Sequence, residues 1–517
     1  MKAYNAVTAV VAGAIGVVSP RGAWRYRVGR ESLRSYVAAE ITGPNQNWRP
    51  RNRSADAEIK RGHKLITARA RDLVRNNSYV AGAIEKICNN VVRRGIRPQA
   101  QFRVKGQPDR PRNRLIEAHF ERWSRYADVS GHNSFAALQR LILRHIWVDG
   151  EILLHRVWDN SLKGIAPLRL EVIESDHLDA RIDGALSNGN IGRRGVEVDP
   201  ATNRPVFFHV LDQHPGDDYR LGGQAATSRI PAADIIHVYD KRRASQTRGV
   251  SWLAAILMES YDLSEYKAYE RIGARLAAAF GIFVKTSYPD GGMGAGIGVP
   301  AKQFGPDGEL LPSADIEMPD YIEPGRIQKM PYGSEIQVAS HNRPGTQYEP
   351  FVTDSVRGMS TGSGMSYEAF SNDYTAASYS SARSASLEER LSYQGQQLFL
   401  NEKCNARVWA WFLEAAYLAG LLPSSADYAA DPLVWHEAVV WQNPGWTWVD
   451  PLKDSKAAGE GLTNCTTTRT TISAQLGEDW EDDILATLVH EEEQLSRLYE
   501  LRAKNQTKQQ EDVAHAK

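Results

Sequence analysis

The sequence predicts an α+β fold in which blocks of helical period flank a block of antiparallel strands. Three observations carry that expectation. Leu65, Ala68, Leu73, Val80 and Ile84 recur near helical spacing over residues 61–97, and Leu115, Phe120, Trp123, Leu138, Leu141, Ile142 and Ile146 continue the pattern over 110–146. From Ile146 the texture becomes strand-like, with runs at Leu168–Ile173, Pro205–Leu211 and Ile235–Tyr239 separated by polar turns. Helical period then returns at 252–285, 348–361 and 382–419.

Local chemistry supports each element in turn. Asn76-Asn77-Ser78 is a place to break and recap the first helical block. Ile146–Trp158 reads as a hairpin around Asp149-Gly150, and Asp199-Pro-Ala-Thr-Asn203 as a turn between two strands. Gly249 permits a tight backbone ahead of Trp252, and Ser251 can cap the helix that follows. Residues 286–346 lose periodicity, apart from strand-like pieces near Ile327 and Ile336. The segment 433–449, with Trp435, Trp441, Trp446 and Trp448, reads as strand. Two helices over 451–475 and 479–503 precede a frayed polar tail.

Composition narrows the function classes. The chain has 517 residues, enough for about two to four structural regions. Its apolar content of 42% is that of a globular protein. The 13 tryptophans read as core residues. Net charge is zero but uneven: residues 21–114 hold 23 Lys/Arg against 7 Asp/Glu, while Glu478–Asp483 and Glu491–Glu493 are acidic. That asymmetry suggests nucleic-acid contact or head-to-tail pairing between copies. Cys88, Cys404 and Cys465 are odd in number and far apart, which argues against a disulfide framework and a zinc site. The apolar run Ala6–Val18 is too short to span a membrane, and Arg21, Arg25, Arg27 and Arg30 follow it. It reads as a segment that packs or binds a neighbour.

Several motifs invite chemistry and fail its requirements. Gly358-Met-Ser-Thr-Gly362 fits the G-x-S-x-G nucleophile elbow, which would make Ser360 the nucleophile of a hydrolase. That motif needs a strand before it, and Tyr348–Arg357 has no strong strand pattern. Gly291–Gly298 is rich in glycine but has no strict phosphate-loop register, and it reads as a surface loop. His490-Glu-Glu-Glu-Gln494 lacks the second histidine of a zinc helix. Asp176-His177 reads as a turn at a strand end. Arg248, in Gln246-Thr-Arg-Gly249, can bridge a carboxylate or a phosphate, and a fold-internal ion pair is the favoured reading. The sequence therefore calls for no catalytic residue, no metal and no cofactor.

The segment Ser366–Arg383 is of another kind. Its residues are mostly small or hydroxylated, it has no proline or glycine, and it runs into a helical pattern in which Leu387, Leu391 and Leu398 share a face. Such a segment suits contact with a partner that it does not grip.

Taken in order, several motifs resemble the portal proteins of lambda-type tailed bacteriophages. They are Val18-Ser-Pro-Arg-Gly-Ala-Trp-Arg25, Ala68–Asn77 with Tyr79–Ala83, Asn90–Pro98, Gly195–Asp199 with His214-Pro-Gly216, Gln246–Gly249, Ser366-Tyr-Glu368 with Tyr379–Arg383, and Trp448–Pro451. One departure is Val92-Arg-Arg-Gly95, where many relatives carry a Gly-rich turn.

The resemblance implies a ring of about twelve copies at one capsid vertex. It implies a basic arm (1–60), an antiparallel β-rich wing (61–250), a first stem helix (251–285), a clip (286–346) and a second stem helix (347–365). A tunnel loop (366–383), a long helix with the return strand of the wing (384–450), crown helices (451–503) and a disordered tail (504–517) complete the set. The implied partners are the terminase large subunit, the major capsid and scaffolding proteins, the head–tail connector proteins and double-stranded DNA in transit, with no membrane. Asn372, Tyr374 and Tyr379 are the candidates to meet DNA, and Arg248 is the candidate for a subunit or fold contact. A monomeric basic nucleic-acid-binding protein is the competing reading, beside the Ser360 hydrolase.

Overall fold

A computed structural model describes residues 50–217, 225–279 and 345–515, the backbone of 283–286 and 334–337, and the isolated positions 19, 21, 47 and 307; within 276–279 and at 503 and 505–515 only the backbone is described. Most of the arm (1–60), most of the clip (286–346), the Gly291–Gly298 run and the strand expected near Ile327 lie outside the described residues. Two compact units divide the chain, Met1–Ala57 and Glu58–Lys517. All that follows concerns the second, apart from the first turn of α1.

Helices α1 (Ala55–Asn76) and α2 (Ser78–Val91) are split where the sequence predicts. Asn77 caps α2 by accepting from the Tyr79 and Val80 amides. The turn after α2 puts Arg93 and Gly95 at φ 47° and 106°, so left-handed backbone persists despite the single glycine. Strands β1 (Arg97–Ala100), β2 (Arg103–Val104) and β3 (Gln107–Pro108) lead to α3 (Arg110–Ser124) and α4 (Phe135–Val148).

The hairpin expected at Asp149-Gly150 is not there. Helix α4 continues to Val148, and Asp149-Gly150 is a helix-to-strand corner leading into β4 (Glu151–Trp158). An apolar run such as Ile146-Trp-Val fits a buried helix end as well as a strand, so period alone does not separate them. The strands β5 (Leu168–Glu174), β6 (Gly184–Ala185), β7 (Ile191–Arg193), β8 (Val196–Val198), β9 (Pro205–Leu211), β10 (Thr227–Pro231) and β11 (Ile235–Tyr239) follow. They form two antiparallel sheets, β11-β4-β5 and β10-β9-β8-β7-β6.

Helix α5 (Leu257–Ala279) ends before the predicted limit of 285, because Phe283–Thr286 is strand β12 and pairs with β13 (Ser334–Gln337). Helix α6 (Tyr348–Ser363) stops at Gly364, whose φ of 70° suits a C-cap glycine. The short α7 (Tyr367–Ser371) and the long α8 (Tyr379–Leu400) both fall within or begin inside the expected 366–383 loop. That loop is therefore two helical pieces joined by residues 372–378. One widened π turn, Asn401–Asn405, joins α8 to α9 (Ala406–Leu418).

The tryptophan segment is only partly strand. After α10 (Ser425–Ala430), Trp435 lies in α11 (Pro432–Glu437), and β14 (Val439–Gln442) alone is extended. Pro432 at a helix start and the Asp431 cap outweigh the aromatic β-propensity. β14 pairs antiparallel with β1, so Arg97 faces Gln442 across the chain. Helices α12 (Pro451–Thr463), α13 (Arg469–Leu476) and α14 (Ala486–His515) close the fold. The backbone of α14 stays helical well past the residue where fraying was expected.

One core runs through both ends of the sequence. Phe120 and Trp123 on α3 meet Phe135 on α4 and Trp409 and Phe412 on α9, with ring centroids 5.0–5.8 Å apart. The Trp123 indole donates to the Leu168 carbonyl at 2.8 Å. Burying each such ring contributes about 1.5–3 kcal/mol. A second cluster, with Leu178, Val196, Val198, Phe208 and Val210, lies under the five-stranded sheet.

Candidate functional site

Among the described residues charged side chains meet at several places, each visible in the sequence only in fragments. The first is Glu151, which solvent does not reach. Arg248 donates to its Oε1 from Nε at 2.7 Å and lies 2.6 Å away through Nη2. His237 Nε2 is 2.9 Å from Oε2, the Gly249 amide donates to Oε2 at 2.7 Å, and His63 Nε2 is 3.3 Å from Oε1. Burial pushes the carboxyl upward, but Arg248, His237 and His63 together hold it well below the usual carboxylate range. Arg248 also donates to the Arg194 and Ser175 carbonyls. It is a contact within the fold, 3% exposed, that ties the approach to α5 to β4, to the end of β5 and to the turn between β7 and β8. Gly150 and Gly249 make the corner possible. A Cβ on Gly249 would collide with the Gly150 carbonyl, and Gly150 itself sits at φ 89°.

Asp176-His177 belongs to a neighbouring cluster. Arg71 reaches Asp149 at 2.7 Å, Glu174 at 3.1 Å and Asp176 at 2.8 Å. His214 lies 3.6 Å from Asp176 and 3.7 Å from Glu174. Glu174, Asp176 and His214 have the spacing of a metal site. The Arg71 guanidinium sits on the Glu174 and Asp176 oxygens that a cation would need, so the fold already supplies those carboxylates with a positive partner.

The G-x-S-x-G pattern is a helix-packing motif. Ser360 lies inside α6, is 4% exposed, and donates to the Arg357 carbonyl at 2.8 Å, so no strained elbow presents it. A Cβ on Gly358 would meet the Glu259 carboxylate and one on Gly362 the Ile256 side chain. Two glycines one turn apart let α6 approach the start of α5 closely. Two features required by a nucleophile elbow, a preceding strand and an exposed serine, are both missing there.

The Ser366–Arg383 segment is the remaining candidate. Ser366 caps α7 and Ser378 caps α8 through their side chains. Asn372 ends α7 at φ 60°, a conformation asparagine tolerates, and its side chain accepts from Lys86 together with the Ala369 carbonyl. Burial lowers the Lys86 pKa, against the nearby Glu389 that raises it. Asp373 accepts from the Thr375 amide and hydroxyl, which lowers its pKa. Tyr379 donates to Asp450 at 3.3 Å, and Arg383 pairs with Asp454 at 2.7 Å. Tyr374 is 58% exposed and Tyr379 61%. The three candidates thus sit on one short surface segment, pinned at both ends and bearing little charge.

The uneven charge is partly consumed inside the chain. Arg110 pairs with Glu481 at 3.1 Å and Arg114 with Asp482 at 2.8 Å, which brings the basic region against the acidic 478–483 run. Reasoning from charge runs missed this, because neither run carries a mark of its partner. It also missed the buried amide ladder Gln139–Asn405–Asn401–Asn443 at the π turn, for which no local signal exists.

The sequence model for "Phage portal protein, lambda family" matches residues 42–397. The chain belongs to the lambda family of phage portal proteins. This portal-family chain is 30% identical over 462 residues to the probable portal protein of Halomonas phage phiHAP-1, covering 87% of this chain and 84% of that one. It is 24% identical over 503 residues to portal protein B of Escherichia phage lambda, covering 90% and 91%. The portal protein of Escherichia phage N15 is 23% identical over 503 residues, with the same coverage. A chain from the neck of a native GTA particle, computed with C12 symmetry, aligns with TM-score 0.46 at 14% identity, over 81% of this chain and 98% of that one.

Proposed function

We propose that the chain assembles into a closed ring of about twelve copies at one vertex of a phage capsid, through which DNA is packaged and later leaves into the tail. Family membership over 42–397 is the observation that carries this reading. In it, 61–250 forms the wing, α5 and α6 the stem, 286–346 the clip, 366–383 the tunnel loop and the last helices the crown. The terminase large subunit and the head–tail connector proteins dock at the clip. Major capsid and scaffolding proteins surround the ring, and the ring nucleates the procapsid after assembling in the host cytoplasm.

The segment around Tyr374 supports a channel lining on physical grounds. Each phosphate a protein neutralises adds affinity that translocation must break again. Asn372, Tyr374 and Tyr379 offer polar and aromatic surface without cationic grip. Electron microscopy of the purified chain tests the reading. A ring with a central hole of duplex width is the expected result, and a chain that is monomeric under all assembly conditions overturns it in favour of a monomeric binding protein.

A further inference from the structure

We propose that residues 58–65, the early part of α1, form a strap latched to the β-rich region by charge, and that this strap lifts while the rest of α1 stays docked. The proposal goes beyond the ring reading and does not depend on it.

The two parts of α1 are held differently. Ile66, Ala70, Leu73 and Val74 share one face of the helix and pack into the main core. Among the described residues, no apolar side chain of 58–65 belongs to either core cluster. Leu65 is 55% exposed, and Ile59 is half-buried. Charge holds this stretch instead. Glu58 pairs at 2.6 Å with Arg243 in the loop after β11, and Lys60 pairs at 2.6 Å with Asp183 just ahead of β6. His63 comes to 3.3 Å from Glu151 on β4. Exposed pairs such as the first two contribute little and weaken in salt, because water and ions reach them. Glu151 does not need the strap. When His63 leaves, Arg248, His237 and the Gly249 amide still partner that carboxylate.

The strap also borders a void. A cavity of about 290 Å³ is lined by His63 and Lys64 from the strap and by Ser175, Asp179, Arg194 and Arg248 from the sheet region. Two buried polar atoms at this place, His63 Nε2 and Ser175 Oγ, have no hydrogen-bond partner among the described residues. A buried polar group without a partner is costly, and lifting the strap opens the cavity to water. The closed state is therefore held by pairs that salt can screen and opposed by unmet hydrogen bonds. Such a segment opens at a lower cost than global unfolding.

Beyond Ile66 the balance reverses. Ala70 and Leu73 are buried, and Arg71 ties the helix to Asp149 and Asp176 at 2.7 and 2.8 Å. The strap joins the unit Met1–Ala57 to that anchor. Its release replaces a helical rise of about 12 Å with a tether of up to about 26 Å.

Backbone hydrogen exchange in the full-length protein tests the latch. At about 0.1 M salt the amides of 59–65 are expected to exchange faster than those of 66–76. At about 1 M salt, where the screening length falls from about 10 Å to about 3 Å, exchange in 59–65 is expected to rise on the order of tenfold, with 66–76 unchanged. Asp183→Asn combined with Arg243→Gln alters no residue of α1. This double variant is expected to show the fast exchange already at low salt and to lose the salt response. Equal protection along the whole of α1 at both salt concentrations overturns the latch. So does opening that ignores salt, as an ordinary frayed end would, or a salt response that survives in the double variant. None of these outcomes touches the ring reading, which electron microscopy tests separately.

Discussion

Around Glu151, donors from α1, β11 and the approach to α5 converge on a carboxylate that water does not reach. Along residues 372–378 the polar groups bond mostly to near neighbours and face outward. Both regions are polar, yet one locks distant elements together and the other leaves its surface available. The difference lies in dielectric. A buried charge must be fully partnered or it costs several kcal/mol, whereas an exposed hydroxyl exchanges one partner for water at little cost.

The comparison breaks most readily at Glu151. Glu151→Gln leaves the Arg248 guanidinium buried without its counter-charge, and a loss of about 3–5 kcal/mol is expected in chemical denaturation. The pH dependence has a definite sign. The folded pKa is depressed, so the stabilisation is present above the ordinary carboxylate value of about 4.3 and disappears as pH falls through the lower folded value. Glu151→Gln should lose that acid-dependent component; an unchanged acid limb would mean the cluster contributes nothing.

Gly249→Ala forces a methyl into the Gly150 carbonyl, and a loss of about 1–3 kcal/mol is expected, read as a lower melting temperature. At the other pole, Asn372→Ala should cost about 1 kcal/mol for left-handed backbone and the Lys86 contact, while Asn372→Gly restores the backbone term. Equal losses for both would assign the whole effect to Lys86.

Glu117 tests an intermediate case. Burial raises its pKa to about 7, with Asp482 and Asp479 adding to the shift. Its charged form is disfavoured in the folded state, so stability declines as pH rises from the unfolded value near 4.5 through the folded one. Glu117→Gln is expected to match the wild type below that window and to exceed it by about 1 kcal/mol above it, after discounting for partial exposure. Stability curves at pH 4 and pH 8 would decide the matter. Tyr374→Ala should change stability by less than about 0.5 kcal/mol. A larger loss would show that the segment is structural packing and would weaken its role as a channel surface.

Much of the fold was legible because its signals are local. Asn77 announces a helix start through a side chain that reaches only two or three residues along, whereas the caps Ser366 and Ser378 lie inside the segment that the sequence presents as a loop. Strands β9 and β11 stand where apolar and aromatic runs sit between turn residues. The hairpin at Asp149-Gly150 was misread because a buried helix end and a buried strand have the same apolar texture. The site was legible only in part. The composition of Ser366–Arg383 suggested an exposed polar segment, and Tyr374 and Tyr379 are exposed there, but it did not show the division into two helical pieces, at whose junction Lys86 from another helix bonds to the Ala369 carbonyl and Asn372.

By itself, then, the sequence determined the helix break and recap at Asn77, the strands β5, β9 and β11, and the ordered motifs of the portal family. Only the tertiary structure decided what Arg248, Gly358, Gly362 and the opposed charge runs are for. Arg248 meets Glu151 from 97 residues away, and Arg114 meets Asp482 from 368. A carboxylate carries no local sign of which guanidinium will reach it. That choice is made when packing removes water and leaves the charge one geometry in which it is satisfied.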